Sequence, residues 1–223
     1  MVVALVVVGI AAAVLLTLRA GADDDASGDG SPVTTAAALE GPAGELVGLL
    51  ANSGAVNFDV AYTVSDPARG AGATAHLWRR PPLARLDTQS GTGDSVRRDS
   101  SMLTASGPVR CSSLATGPWT CAPSPGLDLR TLSVVPPALA AQLGGLDVSV
   151  ADVTVAGEEV RCFTLAPRPG TSVSGDSRPG EVCLTPDGIP ARVAAGATRL
   201  EMTSLQRGRM PDEVFEPPAP VGG

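Results

Sequence analysis

The stretch AVNFDVAYTVS, Ala55 to Ser65, constrains the fold more than any other. Val56, Phe58, Val60, Tyr62 and Val64 alternate with Asn57, Asp59, Ala61 and Thr63. Successive side chains of a strand point to opposite faces, so this pattern predicts one greasy and one wet face. That belongs to an antiparallel sheet covered on one side, not to a buried parallel strand. A lone strand is not stable, so the chain must supply more strands and a cover.

The flanking residues supply both. AGELVGLLANSG (Ala43 to Gly54) sets Leu46, Val47, Leu49 and Leu50 on one broad face and stops at Asn52 and Gly54, which predicts a short amphipathic helix. After the turn DPARGAG come ATAHLW and LARLDTQS, separated by RRPP. Pro81 and Pro82 cannot donate ladder hydrogen bonds, so they mark a hairpin end. Weaker strands read from SVRRDSSMLTA, PVRCSS and WTCAP. A second short helix reads between Ser124 and Gly145, begun at Pro136 or Pro137 and ended at Gly144 and Gly145. VSVADVTVAG, EEVRCFTLAP, EVCLTPDG, IPARVAAG and ATRLEMTSL then read as strands, with PDG a strong turn. About nine or ten strands and two helices predict an α+β fold with the helices set against one sheet.

Met1 to Leu18 carries no charge and as a helix would rise about 27 Å, close to the hydrocarbon thickness of a bilayer. Arg19 follows, then the water-loving GADDDASGDGSP. The division is therefore a transmembrane anchor or signal segment over 1–19, a linker over 20–34, one domain over 35–219 and a tail over 220–223. The apolar run exceeds a usual signal-peptide core and favours an uncleaved anchor; AGA at Ala20 to Ala22 keeps cleavage and secretion as the alternative. Either way the domain is extracytoplasmic.

Cys111, Cys121, Cys162 and Cys183 form an even set in an exported chain, so two disulfides are expected. Three pairings exist, of which the local one, Cys111 with Cys121 and Cys162 with Cys183, asks least of the geometry. The spacings lack the tight pairs of a zinc site, and no cofactor or metal is expected. If Cys162 bonds Cys183 across adjacent strands, Phe163, Leu165, Val182 and Leu184 face the other way.

The charge excludes other functions. Sixteen arginines, no lysine and twenty-three acidic residues leave a net charge of −7. Such a chain is unsuited to the phosphate backbone of a nucleic acid. His76 is the single histidine, and no G-x-S-x-G elbow offers it a nucleophile, so it reads as a strand residue facing solvent and no enzyme is expected. Asp23 to Asp25 lack calcium-loop spacing, and Asp128, Asp147, Asp152 and Asp176 are dispersed. Arg79, Arg80, Arg85, Arg97 and Arg98 read as hairpin arginines balanced by carboxylates, with a clamp on an anionic head group as the sharper alternative. Trp119 is expected to shield a disulfide, and Phe215 to anchor the C-terminal tail.

The order ELVGLLANSGAVNFDVAYTV, ATAHLWRRPPLARLD, VTVAGEEVRCFTLAP, EVCLTPDGIPARV and MPDEVFEPPA resembles the LolA-like superfamily. That group includes periplasmic lipoprotein carriers, lipid-binding envelope lipoproteins of mycobacteria and anti-sigma-factor regulators. The likeness covers roughly Leu46 to Ala219. RCFTL and EVCLTPDG are similar to disulfide-bearing actinobacterial members. The resemblance implies an incomplete antiparallel barrel with a few short helices on its concave face and an apolar cavity for acyl chains. It carries no lipobox cysteine.

Binding or carriage of a lipid or lipopeptide is the function this implies. The expected lining is Val56, Phe58, Val60, Tyr62, Leu77, Phe163, Leu165, Val182, Leu184, Leu200 and Met202. An aliphatic wall of that kind gains about 0.8 kcal/mol per buried methylene. A membrane-anchored envelope sensor that contacts another protein, as the anti-sigma regulators do, is the alternative.

Overall fold

A computed structural model describes residues 40–66, 70–125, 143, 146–168 and 180–222. The membrane segment, the linker and nearly all of the second predicted helix lie outside these residues. Among the described residues, no helix is long and apolar enough to cross a membrane.

Eleven strands form one open antiparallel sheet, in the order β6-β5-β4-β3-β2-β1-β11-β10-β9-β8-β7. They are β1 (Phe58–Asp66), β2 (Gly70–Arg80), β3 (Leu83–Ser90), β4 (Arg97–Thr104), β5 (Gly107–Leu114), β6 (Thr120–Pro123), β7 (Leu146–Val155), β8 (Glu158–Pro167), β9 (Gly180–Leu184), β10 (Pro190–Ala195) and β11 (Thr198–Arg207). Two meanders, β1 to β6 and β7 to β11, join along the seam where β1 pairs with β11.

This corrects the α+β expectation. Among the described residues there is one α-helix, α1 (Gly41–Asn52), and the fold is mainly β. The expectation gave the strands too little weight against the helices, because the polar segments after Ser90 looked weak as strands. In the ladder RRDSSMLT and GPVRCSSL are full eight-residue strands. Backbone pairing holds both, although the burial of RRDSSMLT does not alternate.

Partners across a ladder share a face, so the two surfaces can be traced strand by strand. From Val64 the inner face passes through Leu200, Val193, Val182, Phe163 and Val150. From Val60 it passes the other way through Leu77, Leu86, Ser101 and Arg110. The inner face is thus aliphatic from β3 across the seam to β7, and polar from β4 onward. Beyond β3 the greasy side is the outer one: Met102, Val109, Cys111 and Cys121 are buried there.

Each greasy side has its own cover. α1 seals the inner face, with Leu46 in the main core and Ala43, Val47, Leu49 and Leu50 packed against it. The turn between β9 and β10 presses on this helix so closely that a Cβ at Gly188, where φ is +81°, would collide with the Leu49 carbonyl oxygen. On the other side the C-terminal tail crosses the outer face. Phe215 is buried in a short 3₁₀ turn (Asp212–Phe215) under Arg80, whose guanidinium carbon stands 4.9 Å from the ring centre. Arg80 also donates to the Met210 carbonyl and pairs with Asp212, while Arg85 donates to the Val214 carbonyl at 2.9 Å. The tail ends with Val221 bridged to Cys121.

Pro81 and Pro82 form the β2–β3 turn as expected, joined by a cis peptide bond. Both local disulfides are present, Cys111–Cys121 and Cys162–Cys183. The second joins directly opposed residues of β8 and β9, and its outer-face neighbours include Arg192, held between Glu201 (3.1 Å) and Glu181 (3.7 Å). Trp119 packs on the first disulfide, as expected.

Candidate functional site

The eleven residues expected to line a lipid cavity gather on the inner face and its margin. Ten are at least nine-tenths buried in a single core cluster: Phe58, Val60, Tyr62, Leu77, Phe163, Leu165, Val182, Leu184, Leu200 and Met202. Val56 precedes β1 and packs against that cluster half-buried. What they meet includes one another and α1. Tyr62 is fully enclosed, its hydroxyl donating to the Pro190 carbonyl at 2.8 Å, and burial pushes its pKa up.

The space beside α1 has a different character. A cleft of about 510 Å³ opens between the helix and the β7–β8 hairpin. Glu45 and Leu49 of α1 form one wall; Asp152, Val153 and Thr154 of β7, with Glu159, Val160 and Arg161 of β8, form the other, and Pro186 closes an end. Arg161 pairs with Glu45 and with Asp152 at 3.1 Å. No ion pair involves Glu159 among the described residues. A second hollow of about 480 Å³ adjoins it, sharing Glu159 and Pro186 and adding Gly157, Glu158, Asp187 and Arg207. Arg207 is held by Asp187 at 2.7 Å and Glu158 at 2.9 Å. Burial pushes the Asp187 carboxyl up, but hydrogen bonds from Arg207 and Thr185 outweigh it and hold it below the usual carboxylate value. The same pairs push the Arg207 pKa up.

This acidic corner was missed at the sequence level, where Asp152 alone was considered. Its residues come from α1, the β7–β8 hairpin, the β9–β10 turn and the end of β11, which only the curl of the sheet brings together. The one available signal was that two turns, AGEE and PDG, carry carboxylates.

The arginine cluster resolves mostly as the plainer reading has it. Arg80 pairs with Asp212, Arg85 with Asp87 and Arg97 with Asp99. Arg98 donates to Ser113 and to the Gly117 carbonyl, and stacks over Trp119. Arg79 differs: it is buried on the inner face, donates to the Gly54 carbonyl at 3.3 Å and has no carboxylate partner among the described residues. Burial lowers its pKa. Its contact ties the 3₁₀ turn that follows α1 (Ser53–Ala55) to the sheet.

His76 is half-buried on the outer face, stacked on Trp78 with ring centres 3.7 Å apart and paired with Asp59. No serine or cysteine nucleophile contacts it among the described residues. Asp147 and Asp152 lie exposed on β7, paired to Arg168 and Arg161. Asp23 to Asp25, Asp128 and Asp176 lie outside the described residues.

No protein-family model matches the chain, and no curated protein sequence matches it. Among solved structures the chain is similar to MucB, at 17% identity and a TM-score of 0.45, over 78% of this chain and 62% of that one. It is similar also to a MucA/MucB complex of Pseudomonas aeruginosa, at 18% identity and a TM-score of 0.46, over 79% of this chain and 61% of that one. The chain therefore spans about three-fifths of the length of the MucB structures it resembles.

Proposed function

We propose that this domain is a non-enzymatic, extracytoplasmic interaction module that engages another protein of the cell envelope. The observation that carries this reading is the division of labour around α1. The aliphatic inner face is taken up by the chain's own side chains and helix, while the open space beside the helix is edged with charge. A partner that brings hydrogen bonds and charges suits such a cleft better than an acyl chain, which needs hydrocarbon walls. Two disulfides and the apolar N-terminal segment support an extracytoplasmic setting, with that segment as the membrane tether or secretion signal.

Carriage of a lipid is the second reading, favoured by the apolar inner face that extends from β3 to β7. One experiment separates the two. A photo-crosslinking residue at Asp152, introduced into the full chain in its native envelope, is expected to give a protein adduct that the same label at exposed Thr203 does not. If neither label gives an adduct and the purified protein carries stoichiometric lipid in native mass spectrometry, the carrier reading replaces this one.

A further inference from the structure

Resting on that reading, we infer that the outer edge of β7 is the docking site, and that its occupant is an extended segment whose inward side chains are two apolar ones followed by a basic one. β7 is a terminal strand of the sheet, ten residues long, and among the described residues no strand pairs with its outer edge. Such an edge offers a row of backbone donors and acceptors to an added strand. Three consecutive residues of that same strand, Asp152, Val153 and Thr154, form a wall of the larger cleft. A segment laid along β7 therefore runs directly into it.

The side chains along the way define the occupant. On the inner face, β7 presents Val148 and Val150, each half-buried and packed at the margin of the core, and then Asp152. A strand pairing with β7 would set two apolar side chains beside the valines and its next inward one beside Asp152. There the two adjoining hollows bring five carboxylates, Glu45, Asp152, Glu158, Glu159 and Asp187, against only Arg161 and Arg207. The corner keeps a surplus of three negative charges, which selects lysine or arginine in the occupant. The same surplus argues against other occupants. A second copy pairing edge to edge would oppose the acidic β7 strands, and an anionic membrane surface would be repelled.

The test uses the whole protein and capped synthetic peptides of about nine residues, a usual strand length. Thr alternates with Val, Val and Lys, made in both chain directions; controls carry Glu for Lys, or N-methyl groups on one or the other set of alternate amides. By calorimetry one direction of the Lys peptide is expected to bind saturably, and the Glu version about tenfold or more weaker. N-methylation should abolish binding for one set of amides and spare it for the other, which simple charge attraction would not do. The doubly reversed Asp152→Lys, Glu159→Lys variant, at two exposed positions, should invert the preference for Lys over Glu. Equal binding of Lys and Glu peptides, indifference to both methylation patterns, dimerisation through β7, or no saturable binding would each overturn the inference. With the photo-crosslinking residue moved to exposed Thr154, equal capture of the envelope protein with and without these two substitutions would make the docking site wrong while the module reading stood. Absence of any adduct from the wild type would remove the reading itself.

Discussion

The two ends of the sheet solve the same problem in opposite senses. In β7 to β11, with β1 to β3, the greasy face points inward onto α1, and the outer face over the disulfide carries ion pairs. In β4 to β6 the greasy face points outward beneath the C-terminal tail, and the inner face carries Asp99 and Ser101. A single sheet can thus change which side is its core between two neighbouring strands, provided each side finds its own cover. The first half is covered by a helix preceding the sheet, the second by a tail following it. The helix-covered half should therefore carry the global stability, and the tail-covered half should open on its own.

That contrast can be broken by substitution. Phe163→Ala, which empties a fully enclosed site in the helix-covered half, is expected to cost about 4 kcal/mol in global stability by urea denaturation. Phe215→Ala should instead release the tail, seen as rapid proteolysis after residue 208 and faster amide exchange in β4 to β6, with β7 to β11 still protected. If both substitutions lower protection everywhere alike, the sheet is one cooperative unit.

The disulfides sharpen the comparison. Their sequence separations are 21 for Cys162–Cys183 and 10 for Cys111–Cys121. By loop-closure entropy, replacing the first pair with serines should cost about 3.3 kcal/mol and the second about 2.7. A reversed order in the measured melting temperatures would mean that the tail-covered half depends on its crosslink more than chain entropy accounts for.

Acid gives the smallest effect and the most local one. Asp187 and Glu201 are each pushed up by burial and pulled down further by their arginine partners. Carboxylates lowered in the folded state stabilise it above the ordinary carboxylate range, and that contribution is lost as pH falls through the lowered values. Below about pH 4, exchange protection should fall first around the β9–β10 turn and the β7–β8 hairpin, by a few tenths of a kcal/mol. Asp187→Asn should flatten that dependence; an unchanged slope would remove these pairs from the account.

How much of this could be read from the amino acids depended on which half is considered. Val56 to Val64, Pro81–Pro82 and the Cys162/Cys183 parity all reported faithfully, because one-sided burial writes itself as alternation. Arg98 to Ser101 did not. Asp99, Ser100 and Ser101 are all buried, from both faces, so no alternation survives to mark an inner side. The role of Phe215 as tail anchor was legible because an aromatic among prolines and carboxylates has few other uses. The acidic corner was not, since it assembles residues from 45 to 207 that only the curl of the sheet brings near.

The seam between β1 and β11 sets the order in which the molecule can be made. Phe58 stands opposite Arg207, so most of the described chain intervenes between the two strands that unite the meanders. Every other pairing between the eleven strands is a local hairpin able to form as it emerges, whereas this one waits for the last strand. Vectorial synthesis or transport from the N-terminus therefore delivers a first meander that must keep its unzipped β1 edge from foreign strands until the final turn of chain arrives to close it.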